Sequence, residues 1–259
     1  MTFDTIKHLR GRLPADDNCV KCQDLTPIIT IDGPTGSGKS TVSRLLAKRL
    51  RYHYLDTGAM YRAVGLAIWR AGAELQNKEE VARICNSLDI KFIQRGDSTK
   101  ICIGDEDVTR AIREPLMDLM ASNVSALDIV RKAMIRLQRK IGSQGSLVAE
   151  GRDMGTVVFP EANHKFYLDA SLEVRVDRRF QERQEKGESI SREKVREDLI
   201  KRDYQDMNRR LSPLKPAKDA VIIDTTELNP HQVVERIMKK MKQRGRRTGI
   251  SKRSISPTK

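Results

Sequence analysis

Five short apolar runs punctuate an otherwise polar chain, at residues 28–31, 53–55, 147–149, 165–168 and 221–223. They are nearly continuous and bounded by polar residues, the pattern of parallel strands covered on both faces. Helical periodicity fills most of the intervals. Strands and helices in alternation predict an α/β fold with a doubly wound parallel sheet of five strands. A last helix is expected to open at Asn229-Pro230, an N-cap followed by proline at the first helical position, and to continue through Val233, Val234 and Ile237.

Two intervals are longer than a simple crossover needs. The first, about 57–145, contains β-like runs at 90–93 and 101–103 with Gly96 and Asp97 as turn residues between them. Two amphipathic helices follow, over about 108–126 and 129–141, so this interval reads as a lobe inserted into the sheet protein. The second, about 175–210, is helical, densely charged and split near Lys186-Gly187. Residues 1–26 read as a polar arm and 241–259 as a basic tail, leaving 27–240 for the domain itself.

The first strand runs into IDGPTGSGKST, and the pattern G-x-x-x-x-G-K-[ST] is complete from Gly33 to Ser40 in a strand–loop–helix context. Gly33, Gly36 and Gly38 permit backbone angles and close approaches that a Cβ would block. The amides of Pro34-flanked Thr35, Gly36, Ser37, Gly38, Lys39, Ser40 and Thr41, together with the positive end of the new helix, converge on one anionic site. Lys39 can reach the β- and γ-phosphates of a nucleoside triphosphate, and the Ser40 hydroxyl can ligate Mg²⁺. This loop predicts ATP with Mg²⁺.

Two further segments begin where strands end. Asp56-Thr57-Gly58-Ala59-Met60-Tyr61-Arg62 follows the second strand, and Glu150-Gly151-Arg152-Asp153-Met154-Gly155-Thr156 follows the third. Ligands of open α/β sheets sit outside the carboxyl ends of the strands, so both segments should face one crevice with the phosphate loop. Glu150 stands where a carboxylate near Mg²⁺ or its waters would be. The charged insertion adds Arg178, Arg179, Arg202 and Arg209, with Asp203 and Asp206 among them. Phosphoryl transfer needs cationic clamps and exclusion of water, and a helical lid carrying arginines would supply both.

Charge narrows the field of partners. The chain carries 49 Lys and Arg against 35 Asp and Glu, a formal net charge of +14. Nine of those bases and no acid lie in residues 239–259, which leaves 40 against 35 in the rest. The remainder suits small anionic substrates. The tail reads as a solvated end, with weak nucleic-acid contact as the alternative. No apolar run approaches the roughly 18 residues of a membrane-spanning helix, and no leader pattern opens the sequence, so a cytoplasmic protein is expected. Cys19 and Cys22 form a C-x-x-C without a second pair, Cys85 and Cys102 read as core residues, and His8, His53, His164 and His231 have no ligand spacing.

The set IDGPTGSGKST, LDTGAMYRAV, EGRDMGTVVFP, KFYLDAS and RDYQDMNRRLSPL resembles the bacterial cytidylate kinase family over about residues 27–240. The resemblance implies a five-stranded parallel core, a nucleoside-monophosphate lobe with a short β insert, and an arginine-bearing lid. It implies transfer of a phosphoryl group from ATP to CMP or dCMP. By motif, Thr57, Tyr61, Arg62, Arg152 and Arg209 would hold the acceptor phosphate. Ser122, Arg131 and Asp153 would read cytosine, and Arg202 and Asp206 would bind the ribose. Lys39, Arg152, Arg178, Arg202 and Arg209 would serve the transfer itself. The expected partners are ATP and CMP or dCMP, bound by a monomer, with no membrane. The other readings are a P-loop protein that binds or modifies RNA and a kinase of another small acceptor, such as shikimate or dephospho-coenzyme A.

Overall fold

A computed structural model describes residues 27–95 and 98–247. Five parallel strands form the central sheet: β1 Ile28–Asp32, β2 His53–Asp56, β6 Leu147–Gly151, β7 His164–Asp169 and β8 Val221–Asp224. Their spatial order is β2-β6-β1-β7-β8. All five expected strands are present, each within two residues of its predicted span. The arm 1–26, with Cys19 and Cys22, lies outside the described residues. Among the described residues, no helix is long and apolar enough to cross a membrane.

Both faces of the sheet are buried, which is why the strands read as continuous apolar runs. In β6, Leu147 and Ala149 point to one face and Val148 to the other. The first face packs on helices α2 (Thr57–Arg70), α3 (Lys78–Ser87), α4 (Pro115–Ser125) and α5 (Asp128–Gly142) through residues such as Met60, Val81, Met117 and Met134. The second packs on α1 (Lys39–Leu50) and α8 (Pro230–Arg247) through Val42, Leu46, Val233 and Ile237. Side-chain caps start the helices where the sequence supplies them. Asp56 accepts from the Ala59 amide at 2.8 Å, Ser171 from Val174 at 3.4 Å, and Ser191 from Lys194 at 3.1 Å.

Three boundaries differ from expectation. The helix expected from residue 108 begins at Pro115, because the residue before a proline is pushed out of the helical region. Glu114 is extended accordingly, with φ −65° and ψ 147°, after a single 3₁₀ turn at Ala111–Arg113. The β insert has three strands rather than two. β3 (Ile90–Arg95) and β4 (Ser98–Ile103) are antiparallel, and β5 (Glu106–Asp107) pairs with β4. Finally, α8 runs to Arg247, so 241–247 are helical instead of belonging to the tail. Met238 and Met241 extend the apolar stripe of Val233, Val234 and Ile237 at helical spacing and pack on the core.

The second insertion is a helical hairpin, α6 (Leu172–Glu185) and α7 (Arg192–Asn208). Gly187 turns it with φ 78°. The hairpin has a small core of its own, in which Val176, Val195 and Leu199 are buried against Leu172, Phe180 and Ile190.

Candidate active site

Strand register brings the motif segments to one edge. Ile31 pairs with Glu150 and Asp32 with Gly151 across β1 and β6, while Asp56 pairs with Glu150 across β2 and β6. The loops leaving β1, β2 and β6 therefore open on one cleft, which encloses about 200 Å³ and is roofed by α7. Thr35, Gly36, Lys39, Ser40, Thr57, Tyr61, Arg62, Arg131, Arg152, Asp153, Arg202, Asp206 and Arg209 all line it.

The phosphate loop is held by its own geometry. A Cβ on Gly33 would stand 2.0 Å from the Leu168 carbonyl, and one on Gly36 2.9 Å from the backbone of Arg175. Gly38, with φ 86°, starts α1. The Pro34 carbonyl accepts from Ser37 Oγ at 3.0 Å and from Lys39 Nζ at 2.5 Å. Thr41 lies on the exposed side of α1, away from the cleft. Ser40 Oγ donates to Glu150 Oε2 at 2.9 Å, and the Tyr54 hydroxyl donates to Glu150 Oε1. Thr57 Oγ1 donates to the Glu150 carbonyl at 2.6 Å.

Opposite the loop stands a network of arginines and carboxylates. Arg131 and Asp153 form a buried ion pair, 2% and 3% exposed, and the Arg131 guanidinium lies 5.7 Å from the centre of the Tyr61 ring. Arg152 Nε donates to Asp206 Oδ2 at 2.8 Å and its Nη2 to Thr35 Oγ1 at 2.7 Å. Arg209 reaches Asp206 at 3.5 Å and Asp153 at 3.9 Å. Arg62 lies 3.5 Å from both Asp56 and Asp118.

Besides Thr41 and others of the loop 33–41, two more predicted residues stand outside the cleft lining. Ser122 is outside the cleft: its hydroxyl donates to Gln205 Oε1 at 3.1 Å, and it borders a neighbouring hollow between α4 and α7. Arg178 lies behind the phosphate loop, its Nη1 3.4 Å from the Gly36 carbonyl and its Nη2 donating to the Thr225 carbonyl at 2.7 Å.

Charge in the cleft is unevenly compensated. Neither Lys39 nor Arg202 has an ion pair among the described residues. Burial, and then the field of Arg152, hold the Lys39 ammonium well below the usual lysine range. The same two causes push Arg202 down. Burial, then Asp56, raise Glu150 above the usual carboxylate range. Burial would also raise Asp206, but Arg152, Arg202 and Arg209 outweigh it and hold the carboxyl low. Tyr61 is pushed up to about 12 by burial and stays a neutral donor near pH 7. A buried lysine and a half-buried arginine without ion-pair partners, beside an amide-lined loop, favour a polyanion.

Some of the supporting residues have little to mark them in the sequence. Asp32, 3% exposed, accepts from the amides of Met154 and Gly155 at 2.9 and 2.8 Å and so fixes the turn that presents Arg152 and Asp153. Burial raises it to about 7. Arg175 is buried at the base of the hairpin and bonds the Thr35 carbonyl and Asp203. Their only sequence signal is polarity at positions whose neighbours are apolar. Arg179 bonds Asp118 and so joins α6 to α4 across the cleft mouth.

A family model described as cytidylate kinase matches residues 29–243. Cytidylate kinase of Geobacter sp. (strain M21) is 46% identical over 217 residues, covering 84% of this chain and 93% of that protein. The cytidylate kinases of Vibrio cholerae serotype O1 and of Thermotoga maritima are 44% and 43% identical, covering 82% and 83% of this chain and 95% and 97% of theirs.

Proposed function

This chain belongs to the cytidylate kinase family, and from that premise we propose how its cleft divides the work of phosphorylating CMP with ATP. The enzyme is a nucleoside-monophosphate kinase that converts CMP and ATP to CDP and ADP. In our assignment the loop 33–41 takes the β- and γ-phosphates of ATP, with Arg178 bracing the loop from behind. Tyr61, Arg62, Arg152 and Arg209 take the CMP phosphate, helped by Thr57. The observation that carries this division is a pair of cations lining the cleft without a carboxylate in ion-pair distance, the buried Lys39 and the half-buried Arg202. The transferring phosphoryl group supplies the negative charge they lack.

The acceptor is already an anion near neutral pH, since its second phosphate proton leaves near pH 6. One of its phosphate oxygens attacks the γ-phosphorus in line while the bond to the β-phosphate oxygen breaks, so no protein base is required. Lys39 and Arg202 stabilise charge as it shifts from one phosphate to the other, and the closed hairpin excludes water as a rival acceptor.

Mg²⁺ suits the donors present. Ser40 Oγ and Glu150 Oε2 are hard oxygens 2.9 Å apart, and among the described residues no three His, Cys, Asp or Glu gather around one point. A small cation that keeps phosphates and water in its shell fits such a site better than one needing a protein cage. Bound with ATP, it would neutralise charge on the β- and γ-oxygens.

Base reading falls to Arg131 and Asp153. A guanidinium offers donors to the ring carbonyl and N3 of cytosine, and a carboxylate accepts from the N4 amino group. Uracil presents a carbonyl where that carboxylate stands and is disfavoured. Ser122 would join them by turning its hydroxyl from Gln205 toward the base. Asp206 and Arg202 face the ribose, and because the Asp206 carboxylate keeps its Arg152 partner with or without a 2′-hydroxyl contact, dCMP is also a substrate.

An ADP-release assay over CMP, dCMP, UMP, AMP and shikimate tests this reading. CMP and dCMP are expected to give the highest kcat/KM. ADP release that is independent of CMP, or driven by shikimate, would overturn it.

A further inference from the structure

Thr35 is gripped twice from the hairpin side. Its carbonyl accepts from Arg175 Nη1 at 3.2 Å, and its hydroxyl accepts from Arg152 Nη2 at 2.7 Å. Each arginine has its second partner on α7: Arg175 Nη1 donates to Asp203 Oδ2 at 2.5 Å, and Arg152 Nε to Asp206 Oδ2 at 2.8 Å. Asp203 and Asp206 are three residues apart and share one helix face. Two Arg–Asp pairs thus bridge one residue of the phosphate loop to one face of α7. The Arg152 bridge lines the cleft. The Arg175 bridge lies beneath it, with Arg175 and Asp203 buried and Arg175 Nε donating to the Ala170 carbonyl at 3.1 Å. The α6 backbone also packs so closely on the loop that Gly36 has no room for a Cβ.

We infer that Arg175 and Asp203 are positioning residues for phosphoryl transfer: their ion pair locks the phosphate loop to α7, so that the loop holding ATP and the helix carrying Arg202 and Asp206 keep one relative placement. The inference rests on the division of the cleft proposed above and adds two residues that touch neither substrate. Arg175 is suited to the task because its planar fork serves three acceptors at once, at Ala170, Thr35 and Asp203. A lysine keeps the charge but cannot span all three. Asp203 keeps the guanidinium in that plane. Asparagine at 203 has the same shape, retains one oxygen and lacks the charge. Loosening the bridge lets α7 drift relative to the loop. Misplacement of that order lowers the rate of transfer more than the affinity for either substrate, and it opens the γ-phosphate to water.

The experiment compares the full-length wild type with Asp203→Asn and Arg175→Lys, measuring kcat, both KM values, ATP hydrolysis without CMP, and thermal melting. Both variants are expected to lose about tenfold in kcat. KM for ATP and for CMP should change less than about threefold, and the ratio of hydrolysis to transfer should rise. Normal kcat and an unchanged hydrolysis ratio in a folded variant, whatever its melting temperature, would reduce the pair to a fold-stabilising role and overturn the inference. If one variant fails to fold, the same readouts on the other decide. A wild type that does not phosphorylate CMP would sink the functional reading instead, and that arm is measured first.

Discussion

The donor wall of the cleft takes its polar groups from eight consecutive residues, 33–40, most of them backbone amides. The acceptor wall gathers Arg62 from α2, Arg131 from α5, Asp153 from the turn after β6, and Asp206 and Arg209 from the end of α7. On the division proposed above, the donor wall would bind with dipoles whose directions are set by loop geometry and α1, so it needs few charged side chains. The acceptor wall, on the same proposal, would bind with guanidinium groups, and a buried guanidinium needs a counter-charge to be held in place. Asp153, Asp206 and Asp118 provide it. The proposal thus gives a triphosphate common to many enzymes to a local motif, and a particular nucleotide base to an assembly of distant side chains.

The largest expected break is on the donor wall. Lys39→Ala removes the one side-chain cation of the loop, and kcat should fall by roughly two orders of magnitude or more. Because Lys39 has no ion pair to lose, thermal melting should stay cooperative. Near-normal turnover in a folded variant would take the loop out of the mechanism.

The second break is in base selectivity. Asp153→Asn keeps the shape and removes the charge, so kcat/KM for CMP should fall by roughly one to two orders of magnitude while UMP changes little. Parallel measurements on CMP, dCMP and UMP give the ratio. An unchanged CMP/UMP ratio would move base recognition away from the Arg131–Asp153 pair.

The contrast also explains what was legible beforehand. The strands and the phosphate loop are readable because each is specified by adjacent residues: short apolar runs in one case, glycine spacing in the other. The start of α4 falls later than the sequence pattern predicts because apolar periodicity continues through Val108 and Ile112 even though Pro115 interrupts the helix. The end of α8 lies beyond the expected residue 240 because Lys and Arg around Met238 and Met241 mask the stripe those methionines extend. Asp32 and Arg175 were not singled out as supports, since their partners, Met154 and Asp203, are distant in sequence. Ser122 shares the cleft's neighbourhood without lining it, because α4 turns its hydroxyl toward Gln205.

A smaller effect separates two buried carboxylates of the site by pH. Asp32, held by backbone amides, rises from an ordinary value of 3.8 to about 7 through burial. The folded state then binds more protons than the unfolded state between those values, so this residue makes stability fall as pH rises through the window. Asp206, held by arginines that outweigh its burial, is depressed below 3.8. Its contribution is present above that value and is lost as pH falls through the depressed one. The melting temperature of wild type minus Asp32→Asn should decline from pH 4 to 7. The corresponding difference for Asp206→Asn should grow as pH rises out of the acid range and then level off. Slopes of the same sign for both would remove the distinction.

The most direct measurement is calorimetric binding of CMP and of a non-hydrolysable ATP analogue to wild type and to the Arg62→Ala, Arg209→Ala double variant. Loss of two charge-assisted contacts to the acceptor phosphate should weaken CMP by at least about tenfold. The ATP analogue, held by the loop, should keep its Kd within about twofold. Equal weakening of both ligands would show that the arginines serve the whole cleft and that the two walls are not built on separate principles.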